Sequence, residues 1–135
     1  MSVLKTAKFK CNVSSVLNKD AKQYGKSFLF DSREDTCWNS DQGAPQWIVL
    51  TFEEPQKISS FEFQFQGGFA GKECTVKIED WKGSFVCEEP FYPDDINARQ
   101  KFSLSQPVDN AFKVFFTFLS STDFFGRIIV YGFDI

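Results

Sequence analysis

The 135-residue sequence predicts an all-β fold, an antiparallel β-sandwich with jelly-roll connections. Three observations predict it. Apolar residues recur with period two rather than 3.6, the pattern of half-buried strands. About seven short runs of this kind are separated by clusters of Gly, Pro, Asn, Asp and Ser. No amphipathic window is long enough for a stable helix, and Val16 to Tyr24 has room for a turn or two at most. The apolar stock is dominated by 18 Phe, with 3 Trp and 3 Tyr, so the interior is expected to be built from rings.

The strands follow in order. Residues 46–52 place Ile48, Leu50 and Phe52 on one face, and residues 58–66 alternate Phe61, Phe63 and Phe65 with polar neighbours. Residues 74–79 turn Val76 and Ile78 inward, and shorter strands are expected around Phe85-Val86-Cys87 and Phe102-Ser103-Leu104. Residues 112–118 align Phe112, Val114, Phe116 and Phe118, and residues 127–134, with Ile128 inward, close the chain as a nearly continuous apolar strand. Turns are read at 39–45, Gly67-Gly68, 82–84, 92–95 and 120–123. One domain over 1–135, monomeric by itself, is expected.

Composition excludes more than it assigns. There is no histidine, which removes histidine-based triads, imidazole-completed zinc sites and histidine acid–base chemistry. No Gly-x-Ser-x-Gly elbow, phosphate loop or HExxH stretch occurs. The adjacent acidic pairs Glu53-Glu54, Glu88-Glu89 and Asp94-Asp95 lie on turns or point to opposite sides of a strand. A non-enzymatic chain is expected. No apolar run approaches the roughly 18–20 residues of a membrane span, and the first residues lack the roughly 7–15-residue apolar stretch of a secretion signal. The expectation is an intracellular protein without membrane contact, its four cysteines (Cys11, Cys37, Cys74, Cys87) reduced and mostly buried. In that setting the Asn12-Val13-Ser14 sequon carries no weight. Charge is uneven, net +5 over residues 1–26 and −8 over the remainder. This basic apron on an acidic body, with an overall charge of −3, is not the balance of a nucleic-acid binder.

The densest block of unusual residues joins Ser14-Ser15-Val16-Leu17-Asn18 to residues 29–43 and then Gln46-Trp47-Ile48. Within it Asp31, four residues, Thr36, one residue, Trp38, a turn and Gln-Trp before an alternating strand resemble the opening of discoidin domains, the galactose-binding-like jelly-roll class. Further on, Phe65-Gln66-Gly67-Gly68-Phe69 and the stretch from Thr122 through Phe124-Phe125-Gly126-Arg127 to Tyr131 resemble a narrower family in that class. That family comprises small nuclear-receptor-associated proteins, repressor partners of the orphan testicular receptor. The similarity runs from about Ser14 to the last strand.

The resemblance implies a discoidin-type jelly roll that binds a nuclear receptor, lowers receptor-driven transcription and resides in the nucleus or also the cytoplasm. The wider class implies two rivals: a lectin-like or calcium-dependent module for sugars or lipid headgroups, and a structural subunit of a ciliary-type complex. It also implies a calcium turn at Asp31 and Thr36, which suits hard oxygen ligands. Arg33 stands where the class tends to place Asp or Asn. No cofactor and no tight calcium site are therefore expected, with Asp31 and Thr36 bracing the turn.

The binding surface is expected at the sandwich end formed by the turns after Trp38, after Gln66 and before Arg127. These turns supply the rings Trp38, Phe69, Phe124 and Phe125 and the polar groups Asn39, Gln42, Gln66 and Arg127. Phe124 and Phe125 are adjacent and cannot both face one core, so one should stand outside. Two readings remain open for these rings, plugs of the sandwich end or a patch for a partner.

Overall fold

The computed structural model describes residues 3–135. Two one-turn helices, α1 (Val3–Thr6) and α2 (Ala21–Tyr24), flank the first strand, β1 (Phe9–Val13), and 3-10 turns occupy Leu17–Lys19 and Lys26–Leu29. The remaining strands are β2 (Trp38–Asn39), β3 (Gln46–Phe65), β4 (Cys74–Glu79), β5 (Phe85–Phe91), β6 (Arg99–Phe118) and β7 (Ile129–Asp134). All pairings are antiparallel.

The expected strands 46–52 and 58–66 are one 20-residue strand, β3, and the runs at 102–104 and 112–118 are likewise joined in β6. Both bend through irregular stretches, where the β3–β6 register shifts between Thr51 and Ser60. Pro55 and Pro107 fall in these stretches and have no ladder partner, as suits residues without an N–H. The bends divide each long strand between two sheets. One sheet is β1, the first half of β3, the second half of β6, β4 and β5. The other is β2, β7, the second half of β3 and the first half of β6.

Between the sheets lies the ring-filled interior. Phe63, fully buried, has its ring centroid 4.9–6.0 Å from those of Phe61, Phe65, Phe91, Phe116, Phe118 and Phe133. The arrangement mixes stacked and edge-on contacts, the geometry that ring quadrupoles favour. Ile48, Leu50, Phe61, Phe65, Val76, Ile78, Val114, Phe116 and Ile128 are buried as expected. Phe112 is a correction. It is only half-buried, because the β6 register slips between Lys113, opposite Thr51, and Ala111, opposite Gln56, and Ala111 takes the inward place. Cys11, Cys37 and Cys74 are buried free thiols and Cys87 is half-buried.

Candidate interaction site

The turns that follow β2 and β3 and the one that precedes β7 meet at one end of the sandwich. Gln46, 4% exposed at the start of β3, organises the first of them. Its Nε2 donates to the carbonyls of Asp41 (3.1 Å) and Gly43 (2.8 Å), while its Oε1 accepts from the hydroxyls of Ser15 (2.7 Å) and Ser14. The Ser15 hydroxyl accepts from the Asp41 amide at 2.9 Å, and the Ser15 carbonyl accepts from the indole of Trp38 at 2.9 Å. The Ser-Ser, Trp and Gln-Trp blocks of the sequence therefore meet in one polar knot around the buried Gln46.

This knot is tied to the turn before β7. The Gly43 amide donates to the Phe125 carbonyl at 2.7 Å, and the Ser40 hydroxyl accepts from the Ile128 amide at 2.8 Å. Gly126 has φ +85°, and a Cβ there would stand 2.8 Å from the Gly43 backbone, so the two turns touch only because this residue is glycine. The third turn joins through Ile129, whose amide donates to Phe69 and whose carbonyl accepts from Gln66. The 92–97 turn, which was not expected at the site, also joins. The Asp95 carboxylate accepts from the Gly68 amide (2.7 Å) and the Thr122 hydroxyl (3.2 Å), and Asn97 accepts from Gly67 at 2.8 Å.

The proposed site residues divide between surface and frame. Phe124 and Phe125 are 93% and 54% exposed and meet edge-on with centroids 5.3 Å apart. Both rings are outside where one was expected, because the turn that brings Gly126 against Gly43 lifts both away from the interior. Gln42 is exposed on the adjoining turn, next to Gly43, whose amide bonds Phe125. Trp38 is a correction: it is fully buried, facing inward from β2 beside Phe118, and belongs to the core. Arg127 is half-buried and braced within its turn. Its N–H and Nε donate to Asp123 at 3.1 and 3.2 Å, and its guanidinium lies 4.9 Å from the Phe69 ring centroid. Phe69, half-buried, is thereby a platform for Arg127. Gln66 accepts from the Tyr131 hydroxyl at 2.9 Å. Asn39 is 7% exposed, and its Oδ1 has no hydrogen-bond partner among the described residues.

The Asp31–Thr36 turn is braced by its own side chains. Asp31 accepts from the Thr36 hydroxyl at 2.5 Å and from the Arg33 amide at 3.0 Å, so both its oxygens are engaged. Arg33 in turn pairs with Asp35 at 2.8 and 3.0 Å, and this bond holds the Asp35 carboxyl below its usual range. Among the described residues no three acidic or thiol groups gather for a metal, and no helix is long and apolar enough to cross a membrane.

Known proteins share both fold and sequence with this chain. The F5/8 type C domain pattern matches residues 10–114. The nuclear receptor 2C2-associated protein of Xenopus laevis is 51% identical over 123 residues, covering 91% of this chain and 89% of that one. The protein of the same name from Danio rerio is 50% identical over 124 residues, with 91% and 86% covered. Among solved structures, an F5/8 type C domain from Bacteroides fragilis superposes with TM-score 0.80 at 13% identity over 93% of this chain and 89% of its own. A family 32 CBM from Clostridium perfringens, in complex with galactose, superposes with TM-score 0.72 at 15% identity, covering 93% and 91%. The chain belongs to the F5/8 type C domain family, in the branch of the nuclear receptor 2C2-associated proteins.

Proposed function

We propose that the chain is a non-enzymatic module that binds a nuclear receptor through its Phe124–Phe125 end and lowers that receptor's transcriptional activity. The observation that carries the reading is the pair of exposed rings on a turn fixed by Gly126, Asp123 and Ser40. Rings held out on a rigid frame keep their apolar area for a partner and lose little freedom on binding, the properties of an interface anchor. The names of the relatives support a nuclear receptor as the class of partner, and a nuclear place of action goes with that reading. Arg127, Phe69 and Gln66, half-buried behind the rings, set their position and border the same surface.

The test is binding of the purified chain to the purified nuclear receptor 2C2, with a receptor-driven reporter in cells read in parallel. Direct binding together with reduced reporter output supports the reading. Receptor binding without any change in output removes the repressor part. Binding to a glycan array with none to the receptor favours instead a lectin-like role, the role suggested by the galactose complex of the structural neighbour.

A further inference from the structure

The turns that meet at the loop end of the sandwich, residues 39–45, 66–73, 92–97 and 119–127, are acidic. The second is joined to the last by the Gly71–Ser121 bridge and by the Lys72 amide, which donates to the Ser120 carbonyl. Together the turns hold five carboxylates, Asp41, Glu73, Asp94, Asp95 and Asp123, against two cations, Lys72 and Arg127. Arg127 is already committed, since its Nε donates to Asp123 and its guanidinium lies over the Phe69 ring. With that pair closed, four carboxylates remain beside Lys72 alone.

Those four carboxylates divide in the same way as the rings. Asp95 accepts from Gly68 and Thr122, and Asp41 from the Gln42 amide, so both brace the frame. Glu73 and Asp94 are exposed, and among the described residues their bonds to Ser120 and Gln100 run through the backbone, with no ion pair at either side chain. Their charge does not hold the turns and stays available to a partner. The same turns also expose Tyr92, Ile96 and Leu119 beside the Phe124–Phe125 pair. An apolar surface edged with negative charge repels a partner of like charge, nucleic-acid phosphates included, and favours one that brings cations to its rim. Arginine suits that place best, because its guanidinium forks onto a carboxylate and is weakly hydrated.

We infer, resting on the ring pair as the receptor contact, that the surface receiving Phe124 and Phe125 is an apolar recess flanked by arginines or lysines, which pair with Glu73 and Asp94. The rings set how long the complex lasts, and the rim charges set how fast it forms.

The experiment follows association with the purified receptor at low and high salt. A Glu73→Gln, Asp94→Asn variant should associate about five- to tenfold more slowly at about 0.05 M salt, with dissociation nearly unchanged, and the difference should vanish at about 0.5 M. Glu53→Gln, Glu54→Gln makes the same change in net charge at the bend of β3, about 20 Å along the strand from Gln46. That control should alter the rate by less than about twofold, because the distance exceeds the screening length. In parallel, displayed peptides with an apolar centre and randomised flanks are selected on the chain and counter-selected on the Phe124→Ala, Phe125→Ala variant. The recovered flanks should be rich in Arg and Lys. Such peptides without any receptor binding would keep the basic recess and remove the receptor as its owner. Receptor association indifferent to salt and to the Glu73, Asp94 variant would overturn the inference, as would loop-end peptides with neutral or acidic flanks, or none at all.

Discussion

Phe63 and Phe124 are the same residue in opposite settings. Phe63 is fully buried with six ring neighbours, whereas Phe124 is 93% exposed and, among the described residues, meets the ring of Phe125 alone. The interior is held by apolar contact, and the loop end is held by polar side chains, chiefly the buried Gln46 and Ser40 and the half-buried Ser15. The difference teaches where each region's free energy goes. Ring burial has already been converted into stability in the interior, while the exposed pair retains its apolar area for association.

The comparison can be broken at several points. Phe63→Ala should cost about 3–5 kcal/mol in denaturant unfolding, the range of large core truncations. A loss below about 1 kcal/mol would mean that the ring cluster is not the centre of the core. Gln46→Ala should cost about 1–3 kcal/mol, because the Ser14 and Ser15 hydroxyls and the Gly43 carbonyl lose the Gln46 amide together, while the Asp41 carbonyl keeps the Ser40 hydroxyl. Amide exchange in residues 41–43 should speed up in this variant while residues 76–78 stay protected, separating the polar knot from the rings.

Two smaller effects sharpen the same contrast. Burial pushes the thiols of Cys11 and Cys74 from an ordinary value of 9.0 up to about 12. Between those values the unfolded chain releases these protons and the folded chain keeps them, so stability should fall as pH rises from about 9 to 12. Replacing both cysteines by Ala should flatten that part of a pH–stability curve. Calcium should leave the melting temperature unchanged, since the oxygens of Asp31 already accept from Thr36 and Arg33. A calcium-dependent rise that disappears in Asp31→Ala would show that carbonyls complete a site after all.

From Gln46 onward the strands were legible because period two carries both identity and facing, as in Phe61, Phe63 and Phe65. The pattern misplaces Phe112 because a register shift leaves no mark in alternation. β1 was missed because its Lys10 and Asn12 dilute a five-residue run, and β2 because two residues have no period. At the loop end the turns were legible from Gly, Asp and Asn, and their meeting from the family resemblance. The division of labour among their residues was not. Trp38 and Phe124 are both rings beside turn residues, and only the depth at which each strand or turn sits separates core from surface. The role of Asp95 was also hidden, since its partners Gly68 and Thr122 lie 27 residues away on either side.

The most direct test joins both sides of the comparison in one protein. A Phe124→Ala, Phe125→Ala variant should melt within about 2 °C of the parent, because removing exposed rings changes stability by no more than about 0.5 kcal/mol. Its affinity for the purified receptor should fall by about thirtyfold or more, the loss of a pair of interface anchors. A variant that melts as the parent does and binds the receptor with unchanged affinity would contradict the account, and one that unfolds would return both rings to the core.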